Sequence, residues 1–136
     1  MAGKAKQPRI QQEHLGIRQQ MIMKSLWKLG GEATIPAISA RMQEDYGSSL
    51  TGQAMNTMLL LMTDKGIVER GDRKSHAFLY RATITEQEYR DREVARSCSF
   101  TFDGSASELL ASLLKTGVDE KELKKIRALI RNYGKE

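Results

Sequence analysis

The apolar positions of this sequence recur at helical spacing over most of its length. The first apolar stripe predicts a helix from about His14 to Leu29, which Gly30-Gly31 ends because glycine is common just after a helix C-terminus. Thr34 as an N-cap and Pro36 in a first helical turn predict the start of a second helix. This second helix is expected to reach about Asp45.

A third helix is predicted after a short turn at residues 46–49. It runs from Thr51, a candidate N-cap, to about Asp64. Its buried stripe is expected to comprise four residues at helical spacing: Met55, Met58, Leu59 and Met62. Two helices joined by a tight turn are typical of a helix-turn-helix, whose second helix fits the major groove of DNA.

A β-hairpin is predicted to follow the third helix. Its strands are Ile67 to Arg70 and Ala77 to Ala82, the second with strand alternation, and residues 71–76 form a polar, mostly basic loop. The predicted fold is therefore mainly α with a small β-hairpin wing, a winged helix-turn-helix DNA-binding domain over residues 13–84.

Three amphipathic helices are predicted in residues 85–136. Each begins at a pair of residues with capping-box spacing: Thr85 with Glu88, Ser105 with Glu108, and Asp119 with Glu122. We predict that their apolar stripes pair with those of a second copy, which makes residues 85–136 a helical dimerisation domain. The alternative is that they fold back onto the winged module as an intramolecular core. The residues assigned to dimerisation are Leu109, Leu110, Leu113, Leu114, Leu123, Ile126, Ile130 and Tyr133.

The positive charge of the chain is concentrated in its first part. The net charge is +5, and residues 1–84 hold twelve Lys and Arg against seven Asp and Glu, whereas residues 85–136 hold ten of each. A basic module joined to a neutral one indicates a polyanion-binding part and an assembly part, with chance scatter as the alternative. Residues 1–12 are predicted to be a flexible basic arm.

Several function classes are not expected. The single cysteine, Cys98, allows neither an internal disulfide nor a cysteine-rich metal site. The N-terminus does not resemble a secretory signal, and the longest strongly apolar run, Met58 to Met62, is too short to span a membrane. No spacing typical of a catalytic site or a phosphate-cradling loop is present. We therefore expect a cytoplasmic protein without membrane insertion, metal, cofactor or enzymatic activity.

Two sets of side chains are candidates for contact with DNA. Base edges are expected to meet the early residues of the third helix: Thr51, Gln53, Asn56 and Thr57. The alternative role of these residues is to cap the helix or bond phosphates. Phosphate contacts are expected from His76 and from a set of basic residues whose alternative is to be solvated surface charges: Arg9, Arg18, Arg41, Arg73 and Lys74.

Three stretches of the sequence resemble the penicillinase-repressor and methicillin-resistance-repressor family of bacterial winged-helix regulators. They are residues 23–34 (MKSLWKLGGEAT), 64–68 (DKGIV) and 78–89 (FLYRATITEQEY), and the match covers about residues 14–133. The resemblance implies a homodimer that binds a palindromic double-stranded DNA operator and represses nearby genes. It also implies a sensor or protease that relieves repression by cleavage between the two parts.

The sequence departs from this family at three places. Residues 50–54 read LTGQA where the family usually has Trp-Ser-Pro-Lys-Thr, and Leu61 replaces an arginine, so the operator sequence is not carried over. Arg96–Ser99 lacks the Asn-Phe pair of the family's cleavage segment, so regulated cleavage is not carried over either. Cys98 alone lacks the cysteine cluster of the copper-responsive branch.

A winged helix can also serve as a protein-interaction module without specific DNA binding, because fold does not fix function. Basic residues on the wing favour the DNA-binding interpretation. Exposure of Leu60 and Leu61 on the third helix would favour a protein partner.

Overall fold

The computed structural model describes residues 15–48 and 50–135 of the chain. The predicted arm at residues 1–12, with Arg9, and the predicted helix start at His14 lie outside these residues. The chain divides into two compact units, and the division falls between Glu93 and Val94. The sequence suggested a domain boundary between residues 84 and 85. That boundary, between a DNA-binding and a dimerisation domain, remains a prediction.

The first unit has the element order of a winged helix-turn-helix, which confirms the predicted fold class. Its helices are α1 (Ile17–Lys28), α2 (Ile35–Tyr46), α3 (Gly52–Asp64) and α4 (Glu86–Arg96), the last of which crosses the division. Its strands are β1 (Glu32–Thr34), β2 (Val68–Lys74) and β3 (Ala77–Ala82).

Local capping signals start α2 and α3 where the sequence predicts. Thr34 Oγ1 accepts a hydrogen bond from the Ala37 N–H at 3.4 Å, with Pro36 in the first turn of α2. Thr51 Oγ1 accepts one from the Ala54 N–H at 3.0 Å and so caps α3. Between these helices, Gly47 ends α2 in the left-handed conformation, with φ 61°. The caps and the glycine together set the length of the turn before α3.

The core of the first unit joins α1, α2, α3 and the sheet. Each large aliphatic side chain that it buries contributes roughly 1.5–3 kcal/mol to folding. Met58, which was predicted to lie in the buried stripe of α3, is only half-buried and packs at the edge of the core. The buried apolar residues are Leu15, Ile22, Met23, Leu26, Ala33, Ile38, Met42, Met55, Leu59, Met62, Ile67, Val68, Tyr80 and Tyr89.

A third strand, which the sequence analysis missed, braces the hairpin. The sheet has the order β1-β3-β2, and β1 pairs antiparallel with β3 through Ala33 opposite Tyr80. Three residues are too few to show strand alternation, so no periodic signal marked β1. The central strand of the sheet is therefore β3, which is flanked on both sides.

The hairpin is longer than predicted, and its turn is shorter. The strand β2 extends to Lys74, so the residues predicted to form a loop from Gly71 onwards belong mostly to the strand. The ladder is irregular between Arg70 and Arg73, where a β-bulge allows pairing to resume beyond it. The turn itself is Ser75-His76, with Ser75 at φ 58°.

The start of α4 is fixed against α1 by three contacts. The indole Nε1–H of Trp27 donates to the backbone oxygen of Ile84 at 3.0 Å, and its ring lies 5.8 Å from that of Tyr89. Lys24 Nζ lies 2.7 Å from a carboxylate oxygen of Glu86. Trp27 therefore anchors the start of α4 at the edge of the core.

The second unit consists of a π-helical turn, Ser97–Thr101, followed by α5 (Ala106–Lys115) and α6 (Glu120–Asn132). Ser105 and Asp119 cap these two helices with side-chain oxygens, as their spacing predicted. None of the side chains of residues 94–135 is fully buried in the single chain. This unit therefore lacks a buried core of its own. Among the described residues, no helix is both long and apolar enough to cross a membrane.

Candidate nucleic-acid interface

The exposed face of α3 carries the side chains that the sequence assigned to base contacts. Gln53, Asn56 and Thr57 are exposed, and they lie on the side of the helix opposite its buried stripe of Met55, Leu59 and Met62. The amides of Gln53 and Asn56 offer both a donor and an acceptor, which matches the N6 and N7 atoms of adenine. This face has the chemistry needed to read a DNA sequence.

The two threonines of this set already use their hydroxyl groups within the helix. Thr51 Oγ1 caps the Ala54 N–H, and Thr57 Oγ1 donates to the backbone oxygen of Gln53 at 3.0 Å. The alternative of a capping role, left open for these residues by the sequence, is therefore seen for Thr51. The methyl group of each side chain remains suited to contact with a thymine methyl.

The wing carries the basic residues predicted for phosphate contact. Arg73 and Lys74 lie at the end of β2, His76 lies in the turn, and all three are exposed. Arg70, on the same strand, is also exposed but was missing from the predicted set. The sequence feature next to Arg70 is the Gly71-Asp72 pair at the bulge. Such a pair predicts a backbone irregularity, so it gave no reason to assign Arg70 to DNA contact.

The charge of Arg81, on β3, is neutralised within the sheet. Its guanidinium forms ion pairs with Glu69 on β2 and, at 3.7 Å, with Glu32 on β1. The hydrogen bond to Glu69 and the charges of nearby carboxylates raise the pKa of Arg81. Among the described residues, by contrast, Arg70, Arg73 and Lys74 have no carboxylate within ion-pair distance, so the free positive charge of the hairpin lies on β2.

Arg41, predicted to contact phosphate, belongs to a charge cluster on α2. Its Nε lies 3.0 Å from Asp45 Oδ2, and a second nitrogen lies 3.7 Å from Glu44. Lys28 Nζ, from α1, lies 2.8 Å from the same oxygen of Asp45. The hydrogen bonds from Lys28 and Arg41 lower the pKa of the Asp45 carboxyl. A phosphate would have to compete with these carboxylates for Arg41. Arg18, on α1, is exposed.

The depressed pKa of Asp45 predicts a loss of stability in acid. Its ion pairs stabilise the fold at pH values above the ordinary aspartate pKa of about 4, and this contribution disappears as the pH falls through the lower pKa of the folded state. Thermal melts of the wild type and of Asp45→Asn between pH 7 and pH 3 measure it. We expect the variant to melt at a lower temperature than the wild type at pH 7, with the difference shrinking towards pH 3. An unchanged difference across this range would contradict the assignment.

Past its polar N-terminal part, the exposed face of α3 carries an apolar patch. Leu60 and Leu61 are exposed to 64% and 49%, which is the feature stated above to favour a protein partner. Both residues continue the helical face that begins with Gln53 and Asn56. The exposed surface of α3 is therefore polar at its N-terminal end, apolar at Leu60 and Leu61, and charged at Asp64, where the helix ends.

The residues predicted for dimerisation lie on the faces of α5 and α6. Leu109, Leu110, Leu123 and Ile126 are half-buried, and Leu113, Leu114, Ile130 and Tyr133 are exposed, Tyr133 to 89%. Leu129 was missed although it is exposed to 72% and widens the apolar stripe of α6 on the side of Tyr133. The sequence analysis assumed a narrower apolar face for α6 than the helix has, and Leu129 lies at the edge of the actual face.

No group of three or more His, Cys, Asp or Glu side chains within residues 15–48 and 50–135 is placed to hold a metal ion. Cys98, in the π-helical turn, is a partly exposed free thiol.

Comparisons with known proteins place this geometry in a family. The family model described as penicillinase repressor matches residues 15–132. A search of curated protein sequences found no significant match.

Among solved structures, RosR of H. salinarum aligns with a TM-score of 0.50 at 19% identity, over 87% of this chain and 92% of that chain. The complex structure hsRosR-S4 aligns with a TM-score of 0.55 at 17% identity, over 91% of this chain and 94% of that chain. At these identities, the likeness to the solved structures concerns the fold. The family match covers most of the sequence, and the chain therefore belongs to the penicillinase repressor family of DNA-binding regulators.

Proposed function

We propose that this protein is a sequence-specific transcriptional repressor that binds a palindromic operator as a homodimer. The observation that carries the proposal is the combination, within one compact unit, of a polar exposed face on α3 with a wing strand whose basic residues have no ion-pair partners among the described residues. The first can read base edges and the second can bind the DNA backbone. Membership of the penicillinase repressor family supports the same assignment.

Base reading is assigned to the N-terminal half of α3. Gln53 and Asn56 supply amide groups for adenine, while Thr51 and Thr57 supply methyl groups for thymine. Phosphate binding is assigned chiefly to Arg73, Lys74 and His76 on the wing. Arg41 is less available because Asp45 and Glu44 hold its guanidinium. Affinity should therefore depend steeply on salt, because each Lys or Arg that binds a phosphate releases counterions.

The homodimer is supported by the absence of buried side chains in residues 94–135. A helical segment that buries none of its leucines and isoleucines in the single chain gains little free energy from folding alone. Pairing with a second copy through a two-fold axis would cover these faces. Such a dimer presents two copies of α3, each to one half-site, at a separation of about one DNA turn or a multiple of it.

The test of the proposal is a titration of the purified protein against DNA from upstream of its own gene, with a scrambled duplex as the control, at two salt concentrations. We expect tighter binding to the upstream DNA, a steep loss of affinity with salt and saturation at two protomers per site. Repression itself is tested by a reporter gene placed behind the same DNA. Absence of binding at low salt would overturn the proposal.

The substitution Asn56→Ala is expected to reduce the preference for the upstream DNA over the scrambled duplex by about tenfold, because a good amide–adenine pair contributes about 1–3 kcal/mol of discrimination. Binding to the scrambled duplex should not change. Gln43→Ala, an exposed residue on α2, is the matched control and should preserve the preference. An equal loss of affinity for both duplexes would show that Asn56 does not read a base.

A second candidate function is a protein-interaction module, which the exposure of Leu60 and Leu61 favours. The double variant Leu60→Gln, Leu61→Gln separates the two functions. If the repressor assignment holds, the wild type binds its upstream DNA and the variant keeps the same oligomeric state and salt dependence. If the wild type binds no duplex while the variant is more soluble than the wild type, the apolar face serves a protein partner.

A further inference from the structure

Two guanidinium groups lie against one aromatic ring on the wing. The guanidinium carbon of Arg70 lies 4.2 Å from the centroid of the Phe78 ring, and that of Arg73 lies 5.2 Å from the same centroid. Both distances fall within the range in which a ring attracts a cation. Two long and otherwise mobile side chains of β2 are thereby held against a single residue of β3.

The β-bulge explains how both arginines reach this ring. Side chains alternate between the two faces of a regular strand, so residues three apart, such as Arg70 and Arg73, would lie on opposite faces. Here Arg70 pairs with Tyr80 and Arg73 with Phe78, so three steps on β2 match two steps on β3. The extra residue places both arginines on the face of the sheet that also carries Phe78 and Tyr80.

This face of the hairpin is the one that packs on the helices. Tyr80 is buried in the core with Ala33 opposite it, and Phe78 is half-buried against the same core. The strand β2 also packs directly against α3. The two guanidinium groups therefore lie on the side of the wing that faces the helices, and not on the outer side, where Glu69 and Glu32 neutralise Arg81.

Neither arginine of this pair has a carboxylate partner among the residues that the structure describes. Among the described residues, no carboxylate lies within 4.0 Å of either guanidinium. Two like charges held near one ring repel each other, and an anion that binds both would relieve this repulsion. Guanidinium groups favour phosphate because their planar donors match its oxygens. Holding the side chains in advance reduces the entropy lost on binding.

We propose that Arg70 and Arg73 form a preorganised site for the DNA backbone, in which Arg70 is a further phosphate-contacting residue and Phe78 is the positioning residue for both. The site rests on the DNA binding proposed above and adds to it a residue and a mechanism. It commits to phosphates and not to base edges, so its contribution is independent of DNA sequence.

The first experiment measures the salt dependence of binding to a mixed-sequence duplex for the wild type and for Arg70→Gln, Arg73→Gln and Arg81→Gln. Arg81 is the matched control, since it lies on the same hairpin but is already paired with carboxylates. For Arg70→Gln and Arg73→Gln we expect the slope of log affinity against log salt to shrink by about 0.9 each. Affinity at low salt should fall about tenfold, and Arg81→Gln should leave the slope unchanged.

The second experiment tests the ring. Phe78→Leu should weaken DNA binding about threefold at constant salt slope, because both arginines keep their charges but lose their attraction to the ring. Phe78→Tyr, which keeps a ring, should bind as the wild type does. The double variant Phe78→Leu, Arg70→Gln should lose less DNA-binding free energy than the sum of the two single variants. A purely structural role of Phe78 would instead give additive losses.

The outcomes are distinguishable. If the wild type binds no duplex at low salt, both the proposed function and this site are overturned. If the wild type binds and Arg70→Gln leaves its slope unchanged, the phosphate site is overturned while DNA binding stands. If the losses from Phe78→Leu and Arg70→Gln are independent, the positioning role of Phe78 is overturned.

Discussion

Replacing Leu123 and Ile126 by aspartate is expected to leave the protein monomeric and to lower its affinity for the operator by more than about a hundredfold. Each side chain contributes roughly 1.5–3 kcal/mol when it is removed from water, and a symmetric interface counts each substitution twice. Even half of the resulting loss exceeds the roughly 2.7 kcal/mol that a hundredfold change requires. Analytical ultracentrifugation and a DNA titration on the same samples measure the two effects.

The control for this variant is Lys124→Asp, which places an aspartate on the side of α6 opposite the apolar stripe. It should remain dimeric and bind with little change at moderate salt. A dimeric Leu123→Asp, Ile126→Asp variant would show that α6 does not form the interface. A monomeric wild type would instead favour the alternative in which these helices cover the winged module of their own chain.

Replacing Trp27 by alanine is expected to destabilise the first unit by about 3 kcal/mol, at the lower end of the range for Trp-to-Ala changes, because the side chain is half-buried. The change removes the ring contact with Tyr89 and leaves the backbone oxygen of Ile84 without its donor. Denaturation by urea, followed by far-ultraviolet circular dichroism, gives the free energy of unfolding.

The matched variant Trp27→Phe keeps an aromatic ring but cannot donate a hydrogen bond to Ile84. It should lose about 1 kcal/mol, the usual net contribution of one hydrogen bond. Equal losses in the phenylalanine and alanine variants would assign the effect to the hydrogen bond and not to packing. A loss below about 1 kcal/mol in the alanine variant would mean that Trp27 does not anchor α4.

Signals that act within a few residues were sufficient to predict much of this fold. Thr85 and Glu88 form the reciprocal pair of hydrogen bonds of a capping box, with lengths of 2.8 and 3.0 Å, as their spacing alone indicated. Ser105 and Asp119 each accept one hydrogen bond, from the backbone N–H of the residue three positions later, and so cap their helices through the first half of this motif. A cap depends on a side chain and the backbone three residues later, so nothing distant in the sequence is needed to predict it.

The features that sequence reasoning missed depend on contacts between distant segments. The strand β1 exists because Ala33 meets Tyr80, and the bulge in β2 is defined only by its register against β3. The partner of Arg41 at Asp45 lies one helical turn away and could have been found from spacing. The third member of that cluster, Lys28, comes from another helix and could not. The sequence was therefore sufficient to place candidate base contacts on α3. It was not sufficient to show which basic residues are free of ion pairs and so available to phosphate.

One residue joins the sheet that contains the wing to the start of the helix-turn-helix. Thr34 is paired with Leu79 as the last residue of β1, and its hydroxyl is also the cap of α2. A displacement of the sheet would thus disturb the first turn of the helix-turn-helix, and the two parts should behave as one rigid body. If so, the wing and α3 meet their contacts at a fixed spacing, and the DNA must deform to satisfy both. Operators with identical contacted bases but different stiffness or groove width would then be bound with different affinities.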